Sequence, residues 1–179
     1  MTLRAFCEPD VAMVQDLATD PYIPLIGSLP ADADPAAALA WIGRQHARLA
    51  EDVGFSFCIA DEEDRPLGFA GLWTRGLPGG RATAGYAVRP SARGRGVATH
   101  ALRALTDFGW TFPDLHRIEL YIEPDNIGSR RTAEQAGYRH EGLLRQHQEI
   151  GGRRRDMCLY ARLREVADGP LRARGRVGR

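Results

Sequence analysis

The sequence predicts an α/β (α+β) fold: a mixed, mostly antiparallel central sheet of about seven strands with helices on both faces. Three observations carry this expectation. The hydrophobic period switches between 3.6 and 2 in the order βα, α, βββ, α, β, α, ββ, which packs most simply as a sheet covered by helices. The turns inside the βββ run and the closing ββ pair are short enough for antiparallel neighbours. The chain has 179 residues, 44% hydrophobic and 8% aromatic, enough for one core and too apolar for general disorder. Residues 1–165 are therefore expected to form a single domain, with an Arg-rich flexible tail at 166–179.

Residues 2–6 read as a short opening strand, and 9–20 as a helix with Val11, Val14, Leu17 and Ala18 at helical spacing. Between Pro21 and Pro35, four prolines with Gly27 and Ser28 break any regular element. Tyr22, Ile23, Leu25, Ile26 and Leu29 nevertheless make this loop apolar, which suits a cover. Asp34 before Pro35 is an N-cap with proline at the first helical position, and 36–51 continues as a helix expected to turn Leu39, Ile42 and Leu49 inward. Strands follow over 55–60, 67–73 and 82–89, with turns at 62–66 and 76–80. A loop over 90–96 leads into a helix over 97–111, with Ala98, Ala101, Leu102, Leu105 and Phe108 on one face. Residues 116–123 alternate as a strand, 128–136 form a helix and Gly137 caps its end. Strands over 138–150 and 155–163 flank a Gly151-Gly152 hairpin.

Charge and special residues exclude several functions. The 24 basic residues, all arginine, balance 23 acidic ones to a net charge of +1. Without lysine there is no Schiff base, no pyridoxal-phosphate anchor and no Walker A grip. A balanced surface gives no field for nucleic acid or anionic membrane, so neither is an expected partner. Cys7, Cys58 and Cys158 form no CxxC pair and read as buried, reduced thiols. His116, His140 and His147 lack metal spacing, and no metal is expected. No run of 18 apolar residues occurs, and the start lacks a basic region followed by an apolar run. A cytoplasmic protein is the expectation.

The segment from Ala87 to Ala98 (AVRPSARGRGVA) carries the most chemistry: a strand runs through an Arg/Gly loop into an apolar helix. Amides at a helix start lack intrahelical partners and sit at the positive end of the dipole, while Gly94 and Gly96 allow close approach of an anion. Arg93 and Arg95 add charge. On these residues alone, a phosphate site and a glycine turn with solvated arginines stand level. A dinucleotide GxGxxG starting at Gly94 fails at its third glycine, where Thr99 stands.

Arg93-x-x-Gly96-x-Ala98 is similar to the RxxGxG/A signature of the GCN5-related N-acetyltransferases (GNAT). Asn126-x-x-Ser129, Gly137-Tyr138 and Glu141-Gly142 resemble their RimJ/RimL branch. The likeness spans 2–163. It implies the GNAT fold, acetyl-CoA as cosubstrate, and acetyl transfer to a primary amine by direct attack in a ternary complex. The amine would belong to a protein or peptide terminus or to a small molecule. The resemblance places the pyrophosphate on Arg93, Gly94, Arg95, Gly96, Val97, Ala98 and Thr99, and the pantetheine arm along Ala87 and Val88. Asn126 would hydrogen-bond that arm, besides serving as an N-cap. A homodimer is also implied.

The reaction needs an oxyanion donor, an acid for the thiolate and a base for the amine. The Val88 amide is the expected oxyanion donor. Many relatives use a tyrosine as acid, but Ala133 stands at that position, so Ser129 is the candidate. A water relay or plain hydrogen bonding would serve equally against a thiol of pKa about 8.5. The glutamate that relatives carry before Gly-Tyr is replaced by Thr83, and Glu119 is the substitute, because Glu119, Tyr121 and Glu123 alternate onto one face. Glu119 could instead be a paired carboxylate, on Arg117 or Arg103, and Glu149 and Asp156 are the other bases weighed. A noncatalytic acyl-CoA sensor is the alternative reading. The acceptor is expected between the 21–35 loop and the 143–158 hairpin, where Arg153, Arg154 and Arg155 either attract an acidic acceptor or are merely solvated. Trp41, Trp73 and Trp110 read as core, with Trp73 near that cleft.

Overall fold

The strands expected from the period changes form one seven-stranded sheet in the order β1-β2-β3-β4-β5-β7-β6. They are β1 (Thr2–Arg4), β2 (Gly54–Ala60), β3 (Pro66–Trp73), β4 (Arg81–Val88), β5 (Arg117–Ile122), β6 (Arg139–Ile150) and β7 (Arg153–Leu163). The computed structural model describes residues 1–165, so the tail expected at 166–179 lies outside the described residues. The helices are α1 (Val11–Ala18), α2 (Ile23–Ile26), α3 (Pro35–Ala50), α4 (Val97–Gly109) and α5 (Ile127–Gln135). Because strand side chains alternate, the sheet feeds two cores. Cys58 and Ala87 join Met13, Leu17, Trp41 and Ile42 beneath α1 and α3. Their sequence neighbours Ile59 and Val88 join Leu102, Leu105 and Tyr160 beneath α4.

Asp34 caps α3 as expected, its carboxylate accepting the Ala37 amide at 2.7 Å. The inward stripe differs from the expected one. Ala38, Trp41, Ile42 and Gln45 are buried, whereas Leu39 and Leu49 are 46% and 63% exposed. One helix face can be covered, and the face that carries Trp41 removes more apolar area from water than the one that carries Leu39, His46 and Leu49.

The 21–35 segment also departs from a purely irregular loop, since α2 forms within it. Asp20 is the cause: its carboxylate accepts the Tyr22 and Ile23 amides at 2.8 and 3.0 Å. Of the cysteines, Cys58 and Cys158 are buried, but Cys7 is exposed, because it lies where the chain leaves β1 for a surface turn.

The feature that positions the site is a split in the sheet. Parallel pairing of β4 with β5 joins Arg81 with Arg117, Ala82 with Ile118 and Thr83 with Glu119, and ends there. Beyond that point β4 continues to Val88, still paired with β3 as far as Gly68, and β5 continues to Ile122 against β7. The two strands diverge into a wedge, with α4 and α5 at its mouth.

Candidate active site

The Arg/Gly segment leaves β4 through a single helical turn, Pro90–Ala92, and enters α4 at Gly96. Gly94 and Gly96 have φ of +74° and +75°, a region costly for residues with a Cβ, which is why the turn needs glycine at both positions. The Ala92 and Arg93 amides bond to the carbonyls of Arg89 and Pro90. Among the described residues, none of the amides of 94–99 has a protein acceptor. They are the unpaired start of a thirteen-residue amphipathic helix, an arrangement suited to a diphosphate.

The arginines of the loop divide in role. Arg93 is committed to protein partners, with Nε donating to the Val88 carbonyl at 3.0 Å and an Nη donating to Asp20 at 2.5 Å. Arg95 is exposed. The loop borders a groove of about 940 Å³ whose walls include Gly94, Gly96, Val97, Asn126, Ser129 and Arg131.

On β4, the Arg89 amide donates to the Leu67 carbonyl at 2.9 Å. Main-chain direction alternates along a strand, so Ala87 and Gly85 also face β3, while Ala84, Tyr86 and Val88 turn their amides into the wedge. Val88 thus presents its N–H to the wedge. Ala87 contributes its side chain to the lining, and its register partner is Phe69.

Asn126 caps α5, accepting the Ser129 amide at 3.0 Å. The Ser129 carbonyl accepts the Tyr86 hydroxyl at 3.2 Å, leaving the Ser129 hydroxyl without a protein partner among the described residues. Asn126, Ser129, Tyr86 and Tyr22 line both the groove and a second cavity of about 240 Å³. Burial and the Glu123 carboxylate push the Tyr22 hydroxyl well above the ordinary tyrosine range. Ala133 is fully buried.

The second cavity lies between α3, β3, β4, β5 and the β6–β7 hairpin, with Trp41, Arg48, Trp73, Thr83, Tyr121 and Gln148 in its walls. The indole of Trp73 occupies the space above two glycines: a Cβ at Gly71 or Gly85 would lie 3.1 or 2.8 Å from its ring atoms. Arg48 lies over that indole, 5.2 Å from the ring centroid.

Glu119 is outside the lining of both cavities. Its Oε1 accepts Arg117 Nε at 2.6 Å and its Oε2 accepts the Tyr121 hydroxyl at 2.8 Å. Arg117 also pairs with Glu141. Burial, reinforced by Glu119, raises the Tyr121 hydroxyl above its ordinary value. Glu119 therefore reaches the cavity only through Tyr121. Glu149 is exposed, and Asp156 accepts the Gln146 amide at 2.8 Å. His147 stacks on Tyr121 with centroids 4.9 Å apart, and His140 tilts against Tyr160 at 5.1 Å. Arg155 lies 3.5 Å from Glu123 beside the groove. Sequence reasoning passed over Arg48, Tyr86 and Gln148. Only Tyr86 carried a local signal, its place just before the Arg/Gly loop.

Comparison with known proteins agrees with this architecture. The uncharacterized N-acetyltransferase p20 of Bacillus licheniformis is 33% identical over 111 residues, 62% of either chain, so the match spans less than two thirds of that relative. Mycobacterium smegmatis RimJ in complex with CoA-disulfide superposes with a TM-score of 0.77 and 27% identity, covering 90% of this chain and 80% of that one. A RimL ribosomal alpha-N-protein acetyltransferase in complex with coenzyme A gives a TM-score of 0.77 at 20% identity, covering 90% and 92%, a likeness of fold. The acetyltransferase (GNAT) domain family matches residues 1–139, from the opening strand past the α5 helix. This chain is a member of that family.

Proposed function

We propose that the protein is an N-acetyltransferase that moves the acetyl group of acetyl-CoA to a primary amine by direct attack in a ternary complex. The observation that carries this reading is the run of unpaired amides at 94–99, facing a groove that meets a second cavity at Ser129. Acetyl-CoA fits these residues. The 94–99 amides would hold its diphosphate, and the wedge-facing edge of β4 with Asn126 would hold its extended arm.

Each remaining group then has a task. The amine nitrogen forms its bond to the acetyl carbon, and the Val88 N–H stabilises the negative charge that develops on the carbonyl oxygen. As the carbon–sulfur bond breaks, the Ser129 hydroxyl hydrogen-bonds the departing thiolate. The proton lost by nitrogen passes through the Tyr121 hydroxyl to Glu119, which acts at one remove from the cavity. RimL-like and RimJ-like architecture supports a peptide α-amine as one acceptor class, and the second cavity's modest volume of about 240 Å³ supports small amines as another. No helix among the described residues is long and apolar enough to cross a membrane. A cytoplasmic setting belongs to the same reading, supported by three free thiols.

Calorimetry with CoA tests the loop. Gly96→Glu places a carboxylate at the helix start and a Cβ at a positive φ, and the expected loss of CoA affinity is about 100-fold, roughly 2.7 kcal/mol. Unchanged affinity would remove the diphosphate from this turn. Thiol release from acetyl-CoA in the presence of amines then tests transfer.

A further inference from the structure

The cavity beside the wedge contains an unexplained cation. Among the described residues, one buried side-chain N or O atom has no hydrogen-bond partner, and it is an Nη of Arg48. Leaving such a donor buried and unpaired costs about 1–3 kcal/mol, and more when it is charged. Arg48 is half-buried as a whole, but this buried Nη has no acceptor in a cavity wall, which points to a ligand that supplies one.

The surroundings define that ligand. Arg48 is the one charged side chain in the cavity lining, and no aspartate or glutamate lines the cavity to satisfy it. Trp41, Phe69, Trp73, Ile150 and Met157 make the walls apolar, which strengthens a charge pair formed between them. The guanidinium is also held in place, because it lies on an indole that Gly71 and Gly85 accommodate closely. Arg48 lines only this cavity, whereas Ser129 lines both the cavity and the groove, so the cation sits away from the point of transfer.

We infer that the cavity selects amines that also carry a carboxylate, and that Arg48 is the residue that binds it. The inference rests on the acetyltransferase reading above. A free amino acid and an N-terminal aspartate or glutamate of a peptide both supply this chemistry. A polyamine does not: it would bring a second cation to Arg48 and find no carboxylate in the lining. Burial lowers the Arg48 pKa below its ordinary value, but arginine starts so far above neutrality that the guanidinium stays charged.

The test measures acetyl-CoA thiol release with free amino acids against their carboxamides, and with dipeptide amides beginning in Asp or Glu against those beginning in Asn or Gln. Spermidine serves as the cationic control. Wild type is expected to favour the carboxylate member of one series by about 100-fold in kcat/KM, and the series that does so identifies the source. Arg48→Met, which keeps length and removes the orphan donor, is expected to bring that ratio near one, with the KM for acetyl-CoA unchanged and melting at or above wild type. Arg48→Lys should recover part of the ratio, as a point charge without the planar fork. A wild-type preference for spermidine or for the neutral amides, or an Arg48→Met ratio equal to wild type, overturns the inference while leaving transfer itself intact. Should no amine release thiol, the function reading fails. Quenching of tryptophan fluorescence by the same amino acids, without acetyl-CoA, then decides the inference: saturable in wild type and lost in Arg48→Met supports it, and no difference between the two overturns it.

Discussion

Arg93 and Asp20 pin the phosphate-type loop to the segment that becomes α2. One Nη of Arg93 donates to the Asp20 carboxylate at 2.5 Å, and the same carboxylate accepts the amides that start α2. Asp20 is 9% exposed and the Arg93 side chain 49%, so water screens the pair only from the arginine side. The signature arginine therefore shapes the loop that offers its amides, and its charge is already spent on protein.

A pH dependence follows from that pin. Burial favours the protonated form of Asp20, but Arg93 and the Tyr22 and Ile23 amides outweigh it and hold the carboxyl below its ordinary range. A depressed carboxyl contributes stability above its unfolded value, about 3.9, and gives it up as pH falls through the folded value. Loop order and CoA affinity are expected to decline together below about pH 4. Asp20→Asn should reproduce the decline at neutral pH, with CoA bound about 10-fold more weakly and stability lower by about 1–2 kcal/mol after allowance for the exposed arginine. Calorimetry and thermal melting measure both. Wild-type affinity in this variant would show that the loop keeps its shape unaided.

Glu119 and Tyr121 are expected to act as one unit. Glu119→Gln and Tyr121→Phe should each lower kcat about 100-fold, with the double variant no worse than the poorer single and CoA affinity unchanged. Steady-state kinetics on the three variants checks this. Multiplying losses would mean that the two side chains serve separate purposes, and unchanged kcat would hand proton removal to solvent.

Ser129 allows a clean substitution. Its contacts to Asn126 and Tyr86 use the main chain, so Ser129→Ala preserves both and deletes only the free hydroxyl. Turnover should fall about 10-fold while CoA affinity stays within about twofold, the signature of a bond made mainly in the transition state. Comparison of pre-steady-state thiol release with CoA titration reads the split, and equal turnover excludes the hydroxyl from the chemistry.

Much of the framework was legible because it is local. Period changes located every strand of the sheet, and Asp34-Pro35 and Asn126 announced their helices through capping chemistry that involves only near neighbours. The glycines of the Arg/Gly loop were equally readable, since a positive φ is a property of single residues. Contacts between distant segments were not. Ala38 and Leu39 lie on different faces of α3, and which face turns inward depends on what Trp41 finds on the sheet. Nothing near Arg48 in the chain reveals that an indole twenty-five residues away, seated over Gly71 and Gly85, will hold it in a cavity wall. Glu119 shows the same limit. Its facing direction followed from alternation, but its attachment to Arg117 and Tyr121 rather than to open space required coordinates.

The divergence of β4 and β5 makes the molecule two partial sheets hinged on a short seam that ends at Thr83 and Glu119. An extended guest laid against the bare edge of β4 would act as a temporary strand, lending rigidity that the polypeptide withholds from itself. Deuterium uptake at Ala84, Tyr86 and Val88 would then slow on loading. The wall that receives the amine would reach its final form only afterwards, which favours an ordered encounter with the thioester arriving first.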